Sequence, residues 1–255
     1  MPSNGNQKQK AKAPVEHKDV CQCQSSCPRP PMPNSAFCYV HRLYCPRKSP
    51  ITGWEPKYEP DRWNKKNEIR ETHNCFSYAM NVHDPKQIEA CLKSKNCNVP
   101  YHQPGSAAGQ PGFKSDRLKT CSEMIVRILG DNPSIKMATF TDKCPAQTSK
   151  IAIVVDPDED YHFYRQDSNG YWSHKPGGMK VTNKDQSGLP IYDPRLANRR
   201  DKEGRLDYNV FCSYLCVPRT RHLHMKIGGY KKTRSSSKAR RAASPSSLTR
   251  RHRRI

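Results

Sequence analysis

The chain has 255 residues, of which 34% are hydrophobic, and its 45 Lys and Arg against 23 Asp and Glu give a net charge of +22. That length holds one good-sized domain or two small ones, the low apolar content excludes a packed core over the whole extent, and the longest aliphatic run, IAIVV at 151–155, is too short to span a bilayer. Twelve cysteines, with no apolar signal-type stretch in residues 1–20, point to metal ligands, a catalytic thiol and buried side chains in an intracellular setting rather than a secreted disulfide framework.

Residues 1–20 read as a polar, disordered arm. Residues 21–45, CQCQSSCPRPPMPNSAFCYVHRLYC, are cysteine-dense. Cys23-x3-Cys27, ten further residues and Cys38-x2-His41 form a Cys3His set with zinc-like spacing, in which Cys21 is an alternative to Cys23 and Cys45 a spare. A tetrahedral Zn2+ takes four such ligands, and close pairs let two come from each turn. The segment has no apolar core of its own, so the metal would have to supply its folding energy. Residues 46–69, with Pro46, Pro50, Pro56 and Pro60, read as an irregular connector packed through Trp54 and Trp63.

Residues 70–218 carry the regular patterns of a globular domain. NCFSYAMNV is a short helix with Asn74 or Thr72 as its cap and Phe76, Ala79 and Met80 on one face. Proline and glycine between 100 and 112 mark a loop long enough to border a site. SDRLKTCSEMIVRILGD predicts a longer helix, capped at Ser115 or Asp116 and stopped by Gly130. KIAIVVDP suits a central buried strand, and YHFYRQ and YWSHK flank DSNG as a hairpin. YNVFCSYLCVP is a final strand, whose Cys212 and Cys216 lie four apart, share a face and read as core. Helix followed by sheet predicts an α+β class. Residues 219–255 hold thirteen Lys and Arg and no acid. They read as a disordered basic tail suited to nucleic acid or another anionic surface.

Cys75 opens its helix. A helix start supplies partial positive charge and free N–H groups, which favour the thiolate and serve a developing oxyanion. A base is then needed. If Ser168-Asn169-Gly170 is a three-residue hairpin loop with Gly170 left-handed, His174 opposes Tyr164, and His162 and His174 share a face. In that register His162 takes the proton from Cys75, and His174 or another polar group orients the imidazole.

A cysteine opening a helix, a histidine on a strand well downstream and a third polar residue on the next strand resemble the papain-like hydrolases of the NlpC and CHAP type. NCFSYAM, YHQPG and DYHFYRQDSNGYWSHKPGG…VTNKDQSGLPIYDP look like a papain-like family found in bacteria and large DNA viruses, here with an added N-terminal Cys/His segment. The resemblance covers residues from about 70 to 218. It implies a helix packed on an antiparallel sheet, Cys75 as nucleophile, His162 as base, and His174 as third member with Asn183 as the alternative. It names no substrate.

The expectation is therefore an α+β cysteine peptidase or amidase cutting an amide or isopeptide bond, with structural Zn2+ in the N-terminal module and no cofactor in the chemistry. Its setting is expected to be cytoplasmic, nuclear or virion-associated, with nucleic acid as a partner through the tail and no membrane span. The alternative is a non-enzymatic, zinc-stabilised nucleic-acid-binding or virion structural protein.

Overall fold

A computed structural model describes residues 21–23, 27–45, 48–94, 97, 99–113 and 119–220. The arm at 1–20 lies outside them, as does the basic tail from 221 onward. Arg219, taken above as the start of the tail, is packed against the domain, donating to Ser149 Oγ at 2.6 Å and Ala79 O at 2.9 Å.

The chain enters through a short helix α1 (His41–Tyr44) and continues with α2 (Pro60–Asn64), α3 (Asn67–Thr72), α4 (Cys75–Met80), α5 (Pro85–Lys93) and α6 (Cys121–Asp131). The strands are β1 (Lys136–Ala138), β2 (Thr148–Asp156), β3 (Asp160–Gln166), β4 (Trp172–His174) and β5 (Val210–Pro218). They form one antiparallel sheet in the order β1-β5-β2-β3-β4. The class is α+β.

β2 is the middle strand, and both of its faces are covered. On one face Phe76, Ala79, Met80, Met124 and Ile128 of α4 and α6 pack with Ile151, Ile153, Val155 and Phe163. On the other, Ala152 and Val154 pack with Tyr164, Trp172, Ile191 and Tyr214. A strand covered twice needs apolar residues at successive positions, which is why IAIVV is continuous rather than alternating. Each such fully buried aliphatic side chain contributes about 1.5–3 kcal/mol.

Three details depart from the sequence reading. The connector contains α2 and α3, with Trp63 buried while Trp54 stays 44% exposed. Helix α6 starts later than expected, with Thr120 as its cap accepting from the Glu123 N–H at 3.2 Å, and it runs one residue past Gly130. Residues 114–118, which include the expected caps, lie outside those described.

Cys212 and Cys216 do not share a face as free core thiols. The β2–β5 register shifts between Ile153 and Val154, and such a bulge reverses the alternation of side chains. Cys212 packs with Leu215 and Val217 on the α6 face, whereas Cys216 alternates with them. Both are disulfide-bonded, as Cys121–Cys212 and Cys144–Cys216, and Cys91–Cys97 is a third bridge. The long-range pairs staple α6 and the 139–147 loop to β5. Closing loops of 91 and 72 residues stabilises the fold by roughly 4–5 kcal/mol each in the chain-entropy account.

Candidate active site and metal centre

Helix α4 is fixed at both ends. Asn74 Oδ1 accepts from the Ser77 N–H at 3.1 Å, and Asn81 closes the helix in the left-handed conformation. All six of its residues are buried, so Cys75 is held by packing on every side and is only 5% exposed. The N–H groups of Phe163 and Phe76 act on its sulfur and favour the thiolate, while Asp160 opposes it. Burial is the largest influence and pushes the thiol from its ordinary value of 9.0 up to about 12. A helix terminus contributes only ~0.3–1 kcal/mol, less than a single tenfold change in acidity at about 1.4 kcal/mol. Burial therefore outweighs what the helix start contributes, and it favours the protonated thiol.

His162 and His174 come together through the hairpin. Gly170 has φ +82°, Asp167 N–H donates to Tyr171 O at 2.8 Å, and Tyr164 stands opposite His174. His162 Nε2 lies 2.7 Å from His174 Nδ1, and His174 Nε2 lies 3.0 Å from the carbonyl of Lys184. These two contacts fix the protons. A carbonyl only accepts, so His174 Nε2 carries hydrogen. In the neutral ring His174 Nδ1 is then an acceptor, and His162 Nε2–H donates to it. The remaining lone pair of the chain sits on His162 Nδ1. Burial, first, and the partner ring, second, hold His162 well below its ordinary 6.5, and burial lowers His174 to about 4. Both rings are neutral at physiological pH.

Cys75 packs against β3 in one cluster with Tyr161 and Phe163, the residues on either side of His162. Among the described residues no hydrogen bond joins Cys75 Sγ to His162. Among the described residues no hydrogen bond joins the Asn183 side chain to His162, and its backbone carbonyl accepts from the Ile191 N–H at 3.0 Å. A cavity of about 970 Å³ opens on His162, His174, Tyr164 and Tyr208, with Lys180 and Lys202 among its lining.

Several contributors carried no readable signal in the sequence. Lys184 acts through its backbone carbonyl, which any residue would supply. Tyr208 stacks 5.3 Å from the His162 ring and donates to Asp160 Oδ2 at 3.0 Å. Lys175 is fully buried, bonds the carbonyls of Arg70 and Gly177, and is lowered to about 7 chiefly by burial, with Cys75 acting in the opposite sense.

A second cluster lies in the N-terminal segment. The ligand atoms of Cys21, Cys27, Cys38 and His41 all lie within 4.8 Å of one another, an arrangement that could hold a metal ion. Cys21 Sγ is 3.2 Å from His41 Nδ1, and the sulfurs of Cys27 and Cys38 are 3.7 Å apart. Bonds of ~2.0–2.3 Å around a tetrahedral ion place its ligands at about these separations. The residue gathered with Cys27, Cys38 and His41 is Cys21, the alternative, in place of Cys23 of the first-choice set. Residues 22–23 form a turn, and Cys23 is set beside Cys45 instead, which in turn lies by Tyr192.

No helix of the described residues is long and apolar enough to cross a membrane. No family model matches the chain, and no solved structure matches it. The chain is 35% identical over 167 residues to Insoluble matrix shell protein 1 of Ruditapes philippinarum, an alignment spanning 65% of this chain and 93% of that one. The chain belongs to the family of that shell matrix protein.

Proposed function

We propose that the protein is a papain-like cysteine hydrolase, a peptidase or amidase, in which Cys75, His162 and His174 form the reacting chain. The observation that carries this reading is the relay from His162 Nε2 through His174 to the Lys184 carbonyl, at 2.7 and 3.0 Å. It leaves an unshared lone pair on His162 Nδ1, and the residues on either side of that ring, Tyr161 and Phe163, pack in one cluster with Cys75.

The neutral pair sets the mechanism. A protonated thiol and an uncharged imidazole act together, as general base and nucleophile, rather than as a preformed ion pair. His162 Nδ1 takes the Sγ proton as the sulfur bonds to the carbonyl carbon. The imidazolium is stabilised by donating to His174, and it then gives its proton to the leaving amine. Water, deprotonated by the same ring, cleaves the thioester and restores the thiol. The Phe76 N–H, which acts on the thiol in the first turn of α4, would serve the oxyanion.

In the metal centre, three thiolates and an imidazole suit Zn2+ in a structural role. None of its four ligands belongs to the reacting chain. The three disulfides, together with the relative named as a shell matrix protein, support an oxidising compartment in place of the intracellular or virion setting expected from the sequence.

A second reading, a non-enzymatic structural matrix protein, is favoured by the name of that relative and by the buried, protonated thiol. Nucleic-acid binding through the tail rests on residues outside those described. The hydrolase is tested by incubating the full chain with a panel of peptides and aryl amides, beside Cys75→Ala and His162→Ala. Cleavage by the wild type, abolished in the first variant and reduced about 10²–10⁴-fold in the second, supports it. Absence of cleavage of any member of the panel leaves the matrix reading.

A further inference from the structure

Gln22 lies beside a ligand of the Cys/His cluster, yet its side chain is committed elsewhere. It is 1% exposed. Its Oε1 accepts from the N–H groups of Tyr192 at 2.7 Å and Asp193 at 3.2 Å, and its Nε2 donates to Pro190 O at 3.2 Å and Asp185 Oδ2 at 3.4 Å. Its own N–H is bound to Ala36 O at 2.7 Å. The ring of Phe37 packs edge-on against Tyr192 at 4.7 Å. One buried amide thus joins the cluster to a segment 170 residues further along the chain.

That segment is the one that holds His174. Thr182 and His174 exchange both backbone hydrogen bonds, Lys184 bridges Pro190, and the Asp185 N–H donates to Leu189 O. Its Lys184 carbonyl accepts from His174 Nε2. The imidazole grips one end of residues 184–193 and Gln22 the other. Among the described residues the core on the cluster's side is Cys21, Cys27 and Cys38, with only Cys23 and Phe37 packed against them. With so little apolar surface, the placing of Gln22 depends on the ligands being drawn together by an ion.

We propose that Gln22 is a positioning residue through which metal bound at Cys21, Cys27, Cys38 and His41 holds the Lys184 carbonyl against His174. The inference rests on the metal reading and is independent of whether Cys75 turns over a substrate. Without metal, Gln22 releases residues 190–193, the 184–193 segment loosens, and the proton on His174 Nε2 loses its fixed acceptor. The histidine pair then samples both tautomers.

The test uses the full, disulfide-intact chain labelled with 15N-histidine and 13C-methyl isoleucine and leucine. Occupancy is read separately by titrating Co2+ alone and recording its thiolate absorption. Chelation is expected to speed solvent exchange of the His174 Nε2–H by about tenfold or more, with the Ile153 and Leu215 methyl signals unmoved, and Zn2+ alone to reverse it. Gln22→Ala should show the same fast exchange while still binding Co2+. Equal exchange with and without metal overturns the proposal, as does an absence of Co2+ binding, which overturns the metal reading with it. Loss of the sheet methyl signals on chelation also overturns it, because the metal would then support the whole fold rather than this segment.

Discussion

The His162–His174 pair draws its character from burial more than from charge. Both rings are within the packed sheet, both are neutral, and one backbone carbonyl decides which nitrogen of each carries hydrogen. The acid limb of kcat/KM should therefore stay flat through pH 6.5 and fall only as His174 protonates, near its value of about 4. A pH–rate profile with an acid limb centred on 6.5 would contradict this. His174→Phe removes the acceptor for His162 Nε2–H and should lower kcat by about 10²-fold with KM little changed, as read by steady-state kinetics. Stability has the same sign. His73, His83, His162 and His174 are all lowered by burial, His83 to about 4. The unfolded chain then binds more protons than the native one between pH 6.5 and 4. Stability is full above 6.5 and is lost as the pH falls through that window. Thermal scans of His83→Phe, which removes the unpartnered Nε2 beside Trp63, should show a pH slope shallower by about one proton.

At the scale of elements, local signals were legible and long-range pairings were not. Asn74 before an apolar helix face, and DSNG between two aromatic strands, each specify structure within a few residues. Helix α4 and the β3–β4 register follow from them. The bulge in β5 has no such signal, since Cys212 and Cys216 four apart in a regular strand would share a face. Only the shift opposite Ile153 and Val154 turns one toward Cys121 and the other toward Cys144. The continuous run in β2 showed that the strand was central but not what covered it. Ile153→Ala, between α4, α6 and the sheet, should cost about 2–5 kcal/mol, measurable by denaturant titration. Replacing both Cys121 and Cys212 by Ser should cost about 2–5 kcal/mol. Little or no loss would mean that the α6–β5 staple is not formed in solution.

At the scale of the whole molecule, the described residues hold three disulfides and a Cys/His cluster in different regions. Disulfides tie α5, α6 and the 139–147 loop, while the Cys/His cluster gathers the N-terminal segment and is docked through Gln22 and Phe37 on residues 185–193. Reductant and chelator should accordingly destabilise different regions, which hydrogen exchange can map. Twelve cysteines in a row of letters do not divide themselves between these roles. Cys21 and Cys23 are equivalent in spacing terms, and only the turn at 22–23 separates the one in the cluster from the one outside it. The pairing of His162 with His174 was readable because one short turn fixes its register. Its protonation was not, because burial depends on the finished fold. The most direct measurement of the central claim is the intact mass of the full chain quenched during reaction with an activated acyl ester. The account predicts one acyl group on Cys75 that forms and then clears, with both steps slowed in His162→Ala. An adduct on other cysteines only, or one on Cys75 that forms at the same rate in His162→Ala and never clears, would contradict it.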